Sequence, residues 1–101
     1  MNSSIVRLKY VITDPVIRLE GEYDLTRKDE VAAIFASIDD VGPIVIDMTN
    51  VTYIDSTILL ALAKLKSRYD GRTIRIVGLS SHIRRVFAIV KFDELFELTD
   101  A

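Results

Sequence analysis

Cysteine is absent from the 101 residues, which excludes disulfides, thiolate catalysis and cysteine-ligated metal. Glycine is scarce, and none of the four copies belongs to a phosphate-cradling loop of the dinucleotide or P-loop type. Histidine occurs once, as His82. With no second ligand nearby in sequence, it reads as a solvated helix residue, and no metal or catalytic role is assigned to it. Positive charge is not in excess: the formal net charge is -2, so no nucleic-acid footprint is expected. No apolar run approaches membrane-spanning length. Met1 to Ser4 is polar, and Arg7 and Lys9 interrupt Ile5 to Ile12, unlike the apolar core of a secretory signal. The expectation is a cytoplasmic protein with no nucleic-acid and no membrane partner.

What is present suits a packed globule. Half the residues are hydrophobic and 28% are charged, the balance of a folded chain rather than a disordered one. The length fits one domain, residues 1-101, that buries a core without covalent staples. No internal repeat, linker or low-complexity segment is visible.

The periodicities alternate between two and 3.6. Val6, Leu8, Tyr10 and Ile12 alternate with Arg7, Lys9 and Val11 as in a half-buried strand. Asp14-Pro15 signals a turn. Ile17 and Leu19, set against Arg18 and Glu20, make a second strand ending at Gly21, and the short connection predicts an antiparallel pair. Thr26 opens a first helix, with Asp29 as a capping-box variant. That helix is apolar along Val31, Ile34, Phe35 and Ile38. Asp39-Asp40-Val41-Gly42-Pro43 stops it. Ile44-Val45-Ile46, apolar on both faces, suits a central parallel strand that ends at Asp47 in a turn, and Val51 to Ile54 is a second short run. A second helix follows from Ser56 to Tyr69, with Ile58, Leu62, Leu65 and Tyr69 inward and Lys64, Ser67 and Arg68 outward. Thr73 to Val77 is a strand. Ser80 or Ser81 caps a third helix whose inward stripe is Ile83, Val86, Phe87 and Val90, with Arg84, Arg85 and Lys91 facing water. Leu95 to Leu98 adds a short closing strand. The expected fold is α/β: a single domain with a mixed, mostly parallel sheet of four to five strands, an antiparallel edge pair and helices mainly on one face.

Chemistry-bearing sets are few. Asp39-Asp40 and Asp93-Glu94 are adjacent carboxylates whose side chains diverge, so they read as surface charge. No nucleophile, base and orienter set is legible, which argues against an enzyme. The corner Asp55-Ser56-Thr57 is different. An oxygen there serves either as a helix cap, accepting the orphan amide protons of the first turn, or as a target for a kinase. A phosphate at a helix N-terminus is tolerated by the fold, because the dipole favours it. It would still confront a docked partner with about -1.5 to -2 extra charges. Leu60 lies on the helix side of Thr57, Lys64 and Ser67, away from the inward stripe. It is either covered by a neighbouring loop or part of a docking patch beside Ser56.

The segment Val45-Ile46-Asp47 ahead of Val51-Thr52-Tyr53-Ile54-Asp55-Ser56-Thr57 resembles the signature of the STAS domain, found in bacterial anti-sigma factor antagonists and sulfate transporter tails. Gly21-Glu22-Tyr23-Asp24-Leu25 is similar to the family's Gly-Glu-Leu-Asp segment. Ile83-Arg84-Arg85-Val86-Phe87 through Phe92-Asp93-Glu94-Leu95-Phe96 is similar to its last helix and closing turn. The resemblance implies a regulatory protein with no catalytic residues and no cofactor. In the antagonist branch it implies a phosphoacceptor at Ser56, with Asp55 beside it at the contact surface and Asp24 on a nearby loop; Thr57 and Leu60, on the same exposed helix side, complete the expected partner-binding set. The implied partners are an anti-sigma factor serine kinase, which supplies the ATP, and a phosphatase; the chain itself would be a monomer or weak dimer. Where the family pattern continues Ser-Gly-Leu-Gly, this chain has Thr57, Ile58, Leu59 and Leu60, adding bulk in the expected docking region. The rival reading is a STAS accessory subunit of a transporter ATPase or a stress-signalling scaffold, with Ser56 as a cap only.

Overall fold

Among the described residues, four strands, all parallel, are laid side by side in the order in which they occur in the chain. The structure is a computed structural model and describes residues 16–38 and 42–100. The strands are β1 (Val16–Tyr23), β2 (Ile44–Ile54), β3 (Ile74–Val77) and β4 (Glu97–Thr99). The helices between them are α1 (Lys28–Ala36), α2 (Ser56–Arg68) and α3 (Ser81–Ile89), with single 3-10 turns at Leu25–Arg27 and Phe92–Glu94. Each connection advances one strand in the same direction, so right-handed crossovers place all three helices on one face of the sheet.

The sequence of each strand agrees with that one-sided cover. Leu19, Tyr23, Ile44, Ile46, Met48, Ile74 and Ile76 are buried. Their neighbours Arg18, Glu20, Arg75 and Glu97 are exposed on the other face. There the register sets Arg18 beside Asp47 and Arg75 beside Glu97, and both pairs form ion pairs, at 3.5 and 2.6 Å. The helices close the core with Val31 and Phe35 from α1, Ile58, Leu62 and Leu65 from α2, and Ile83 and Phe87 from α3. Tyr69, just past α2, is buried and donates its hydroxyl proton to the Ile38 carbonyl at 3.1 Å. The last crossover is closed by edge-to-face rings, Phe87 on Phe92 and Phe92 on Phe96, a favourable geometry for aromatic quadrupoles.

Several elements differ from the sequence reading. The described sheet is parallel throughout; the predicted strand Val6 to Ile12, and with it the antiparallel edge pair, lies outside the described residues, as do Asp39, Asp40 and Val41. The two apolar runs of residues 44–54 are one strand of 11 residues, not a strand and a connection. The polar interruption is absorbed by shifts in the β1–β2 register between Arg18 and Glu20 and between Gly21 and Glu22. At each, β2 spends one more residue than β1, so the burial phase slips from Met48 to Val51, as an extra residue in a strand requires. Asp47 stabilises the first shift by accepting from the Thr49 amide at 2.9 Å and the Thr49 hydroxyl at 2.6 Å. The first helical segment is capped by Asp24, not by Thr26, which donates to it. Ser80, rather than Ser81, caps α3. Val90 is 40% exposed instead of buried, because α3 ends at Ile89 and Lys91 takes a left-handed backbone, φ 64°.

Candidate functional site

Two adjacent parallel strands end in the same way. Tyr23 of β1 pairs with Ile54 of β2, and an aspartate follows each, Asp24 and Asp55. Each aspartate is extended and turns the chain into a helix: Asp24 accepts from the Thr26 amide at 3.0 Å and the Thr26 hydroxyl at 2.5 Å. Asp55 accepts from the Thr57 amide at 2.7 Å. The two corners are tied together, since the Asp55 amide donates to the Tyr23 carbonyl at 3.2 Å. The parallel register therefore brings Asp24 and the Asp55-Ser56-Thr57 corner to one rim, at the carboxyl ends of neighbouring strands, where open α/β sheets present their sites.

This geometry separates the two roles left open for Ser56. Asp55 is the cap of α2, and Ser56 is the first residue of the helix. Ser56 is exposed, and no hydrogen bond engages its hydroxyl among the described residues. Thr57 and Asp55 are half-buried. Leu60 is 58% exposed, so no described loop covers it. Ile58 is fully buried, as its place on the inward stripe predicts; its bulk fills the core and, unlike the bulk expected from its glycine-replacing position, adds nothing to the surface beside Ser56. Of the two residues that stand in for family glycines, Leu60 alone lies at the surface.

The corner is braced by Arg27. Its guanidinium lies over the Tyr23 ring at 3.9 Å, donates to the carbonyls of Glu20 and Glu22 at 2.7 and 3.1 Å, and pairs with Glu30 at 2.6 Å. The planar fork of arginine reaches all of these at once. The charges around the corner are correspondingly fixed. The Thr26 hydroxyl and amide hold the Asp24 carboxyl below its ordinary value, and the hydrogen bonds from Arg27 do the same for Glu30.

Ser56 and Thr57 also line the upper end of a groove of about 560 Å3 between α1 and α2. Small side chains, Ala32 and Ala36 of α1 and Ala61 of α2, are part of its lining, together with Phe35 and Leu65 of the buried core. Leu25 and Leu60 form its apolar walls near Ser56. Leu25, 69% exposed, and Lys28 were not singled out from sequence as site residues. The available signal was that Leu25 stands just after a capping Asp, in the 3-10 turn at the end of β1, where an apolar residue has no core to enter.

No group of three or more His, Asp or Glu among the described residues could hold a metal ion. No described helix is long and apolar enough to cross a membrane.

The pattern of the STAS domain matches residues 7–101. A STAS-domain containing protein of Pseudomonas aeruginosa (strain UCBPP-PA14) is 26% identical over 87 residues, covering 82% of this chain and 85% of that protein. Among solved structures, a sulfate transporter family protein from Wolinella succinogenes superposes with a TM-score of 0.69 at 17% identity, over 83% of this chain and 74% of that one. The SulP transporter STAS domain from Vibrio cholerae gives 0.64 at 17% identity, over 83% and 70%. At these identities the two structures establish a shared fold.

Proposed function

Because this chain belongs to the STAS domain family, a family of binding and regulatory domains, we propose that it works as an anti-sigma factor antagonist. Unphosphorylated, it binds an anti-sigma factor that is also a serine kinase and so frees a sigma factor. Phosphorylation of Ser56 ends that binding, and a phosphatase restores it. One observation carries the reading: Asp55 caps α2, so the adjacent Ser56 hydroxyl is left exposed and without a structural task. A phosphate added there meets the positive end of the helix and leaves the core undisturbed. It places about two negative charges beside Asp55 and Asp24, on the rim where Leu60 and Leu25 offer apolar contact.

The test is capture of the partner from lysate of the native host by the wild-type protein, Ser56→Ala and Ser56→Asp. Ser56→Ala should bind constitutively, and Ser56→Asp should bind at least about tenfold more weakly. Equal capture by all three forms would defeat the switch. A second reading is favoured by the exposure of two leucines on this rim, 69% for Leu25 and 58% for Leu60, a surface suited to standing contact with a partner. In it the domain is a constitutive accessory subunit of a transporter ATPase or a stress-signalling scaffold, and Ser56 is never phosphorylated. Intact-mass measurement of protein from its own host, showing no phosphorylated fraction under any growth condition, would favour that second reading.

A further inference from the structure

The groove between α1 and α2 differs in charge from the protein around it. The chain carries 15 acidic residues against 13 basic ones, yet no carboxylate lines the groove, and Lys28, Lys64 and Arg68 all do. The three cations are exposed. Lys28 and Lys64 form no ion pair among the described residues, while Arg68 lies 5.0 Å from the Tyr69 ring. Three alanines, Ala32, Ala36 and Ala61, share the lining with the cations, and side chains that small let a second backbone approach closely, as in helix packing. α1 and α2, of 9 and 13 residues, give a trough about 13–20 Å long. That is the length of a partner helix of about ten residues laid into it, with apolar anchors on its inner face and flanking charges at the rim.

We propose that this groove docks an acidic amphipathic helix of the protein partner, its apolar side chains against Ala32, Ala61 and Leu60 and its carboxylates against Lys28, Lys64 and Arg68. The proposal rests on the partner-binding role of the Ser56 corner and gives that role a mechanism. Ser56 lines the same groove, so a phosphate there is an intramolecular competitor. It repels the acidic helix and offsets the lysine charges that attract it. The switch is then electrostatic displacement, with no rearrangement of the fold.

The experiment uses the whole protein, isotope-labelled for NMR, and a synthetic 12-residue helical probe. The probe carries leucines at i, i+3 and i+7 with glutamates flanking them; a second probe replaces every glutamate with lysine. The acidic probe should shift the amides of Ala32, Leu60, Ala61 and Leu65 and the basic probe should not. Raising the salt should weaken the acidic probe, because rim charges are screened. Lys28→Glu with Lys64→Glu should weaken it by about tenfold, with the folded spectrum retained. Equal binding of both probes, or shifts confined to other surfaces, would overturn the proposal. So would displacement of the acidic probe by sodium laurate or by vesicles of anionic lipid that bind more tightly in the groove, since the occupant would then be a lipid. Repeating the titration on Ser56→Asp separates the two ideas. Probe affinity unchanged by Ser56→Asp leaves the groove standing and removes the switch. Capture of the native partner that depends on Ser56 without any groove binding does the reverse.

Discussion

Two neighbouring side chains at the β2–α2 corner have unlike duties. The Asp55 carboxylate satisfies a helix amide, while the Ser56 hydroxyl satisfies nothing among the described residues. A measurable asymmetry follows. Asp55→Ala should lower stability by about 1 kcal/mol, the usual cost of a lost N-cap. Ser56→Ala and Ser56→Asp should each stay within about 0.5 kcal/mol of wild type, as surface changes do, with the aspartate helped by the helix dipole. Urea melts of the three variants would show it. A loss for Ser56→Ala as large as that for Asp55→Ala would mean the serine is structural. The sequence left this choice open because Asp and Ser are both good caps, and only the backbone decides which of two adjacent residues is the cap. Ile58 and Leu60, by contrast, were separable from helical spacing. Two residues apart on a helix is about 200° of rotation, so one is sealed and the other exposed.

At the scale of elements, the helices were the most legible parts. Ile58, Leu62, Leu65 and Tyr69 recur at helical spacing and all four are buried. β2 was the least legible, since the polar segment Asp47 to Asn50 reads as a break. Its continuity depends on register shifts against β1, which are tertiary facts with no local signature. The first shift also depends on a neighbour beyond β3. Gly78, with φ +79°, follows β3 so closely packed on the bulge that a Cβ would sit 2.9 Å from the Thr49 Cα and nearer still to its hydroxyl. Gly78→Ala should therefore cost more than the about 1–2 kcal/mol of a left-handed non-glycine residue alone, because backbone must also move. Thermal unfolding would register it, and Gly78→Ala combined with Thr49→Ala should recover only the part due to the side-chain clash. A neutral Gly78→Ala would mean that β2 is not bulged at this point.

On the scale of the molecule, three carboxylates among the described residues are held below their ordinary range. Asp24 owes this first to the Thr26 hydroxyl, Glu30 to Arg27, and Asp47 to the Thr49 hydroxyl. A carboxylate with a depressed folded-state value binds fewer protons folded than unfolded. Its contribution is complete above the ordinary value and is lost as the pH falls through the depressed one. The urea midpoint should thus hold steady from neutral pH to about pH 5 and decline below about pH 4. Asp47→Asn should flatten part of that decline. A midpoint unchanged from about pH 5 to about pH 3 would show that these bonds do not survive in solution.

The order of strands carries a last consequence. With every crossover turning over the same side, the amino ends of α1 and α2 are delivered to one edge, remote from the salt-bridged back of the sheet. Cohesion comes from the core sealed between sheet and helices, and that edge lies outside it. Under the proposed switch, a covalent mark written and erased at that edge gives the architecture beneath no reason to register that anything happened.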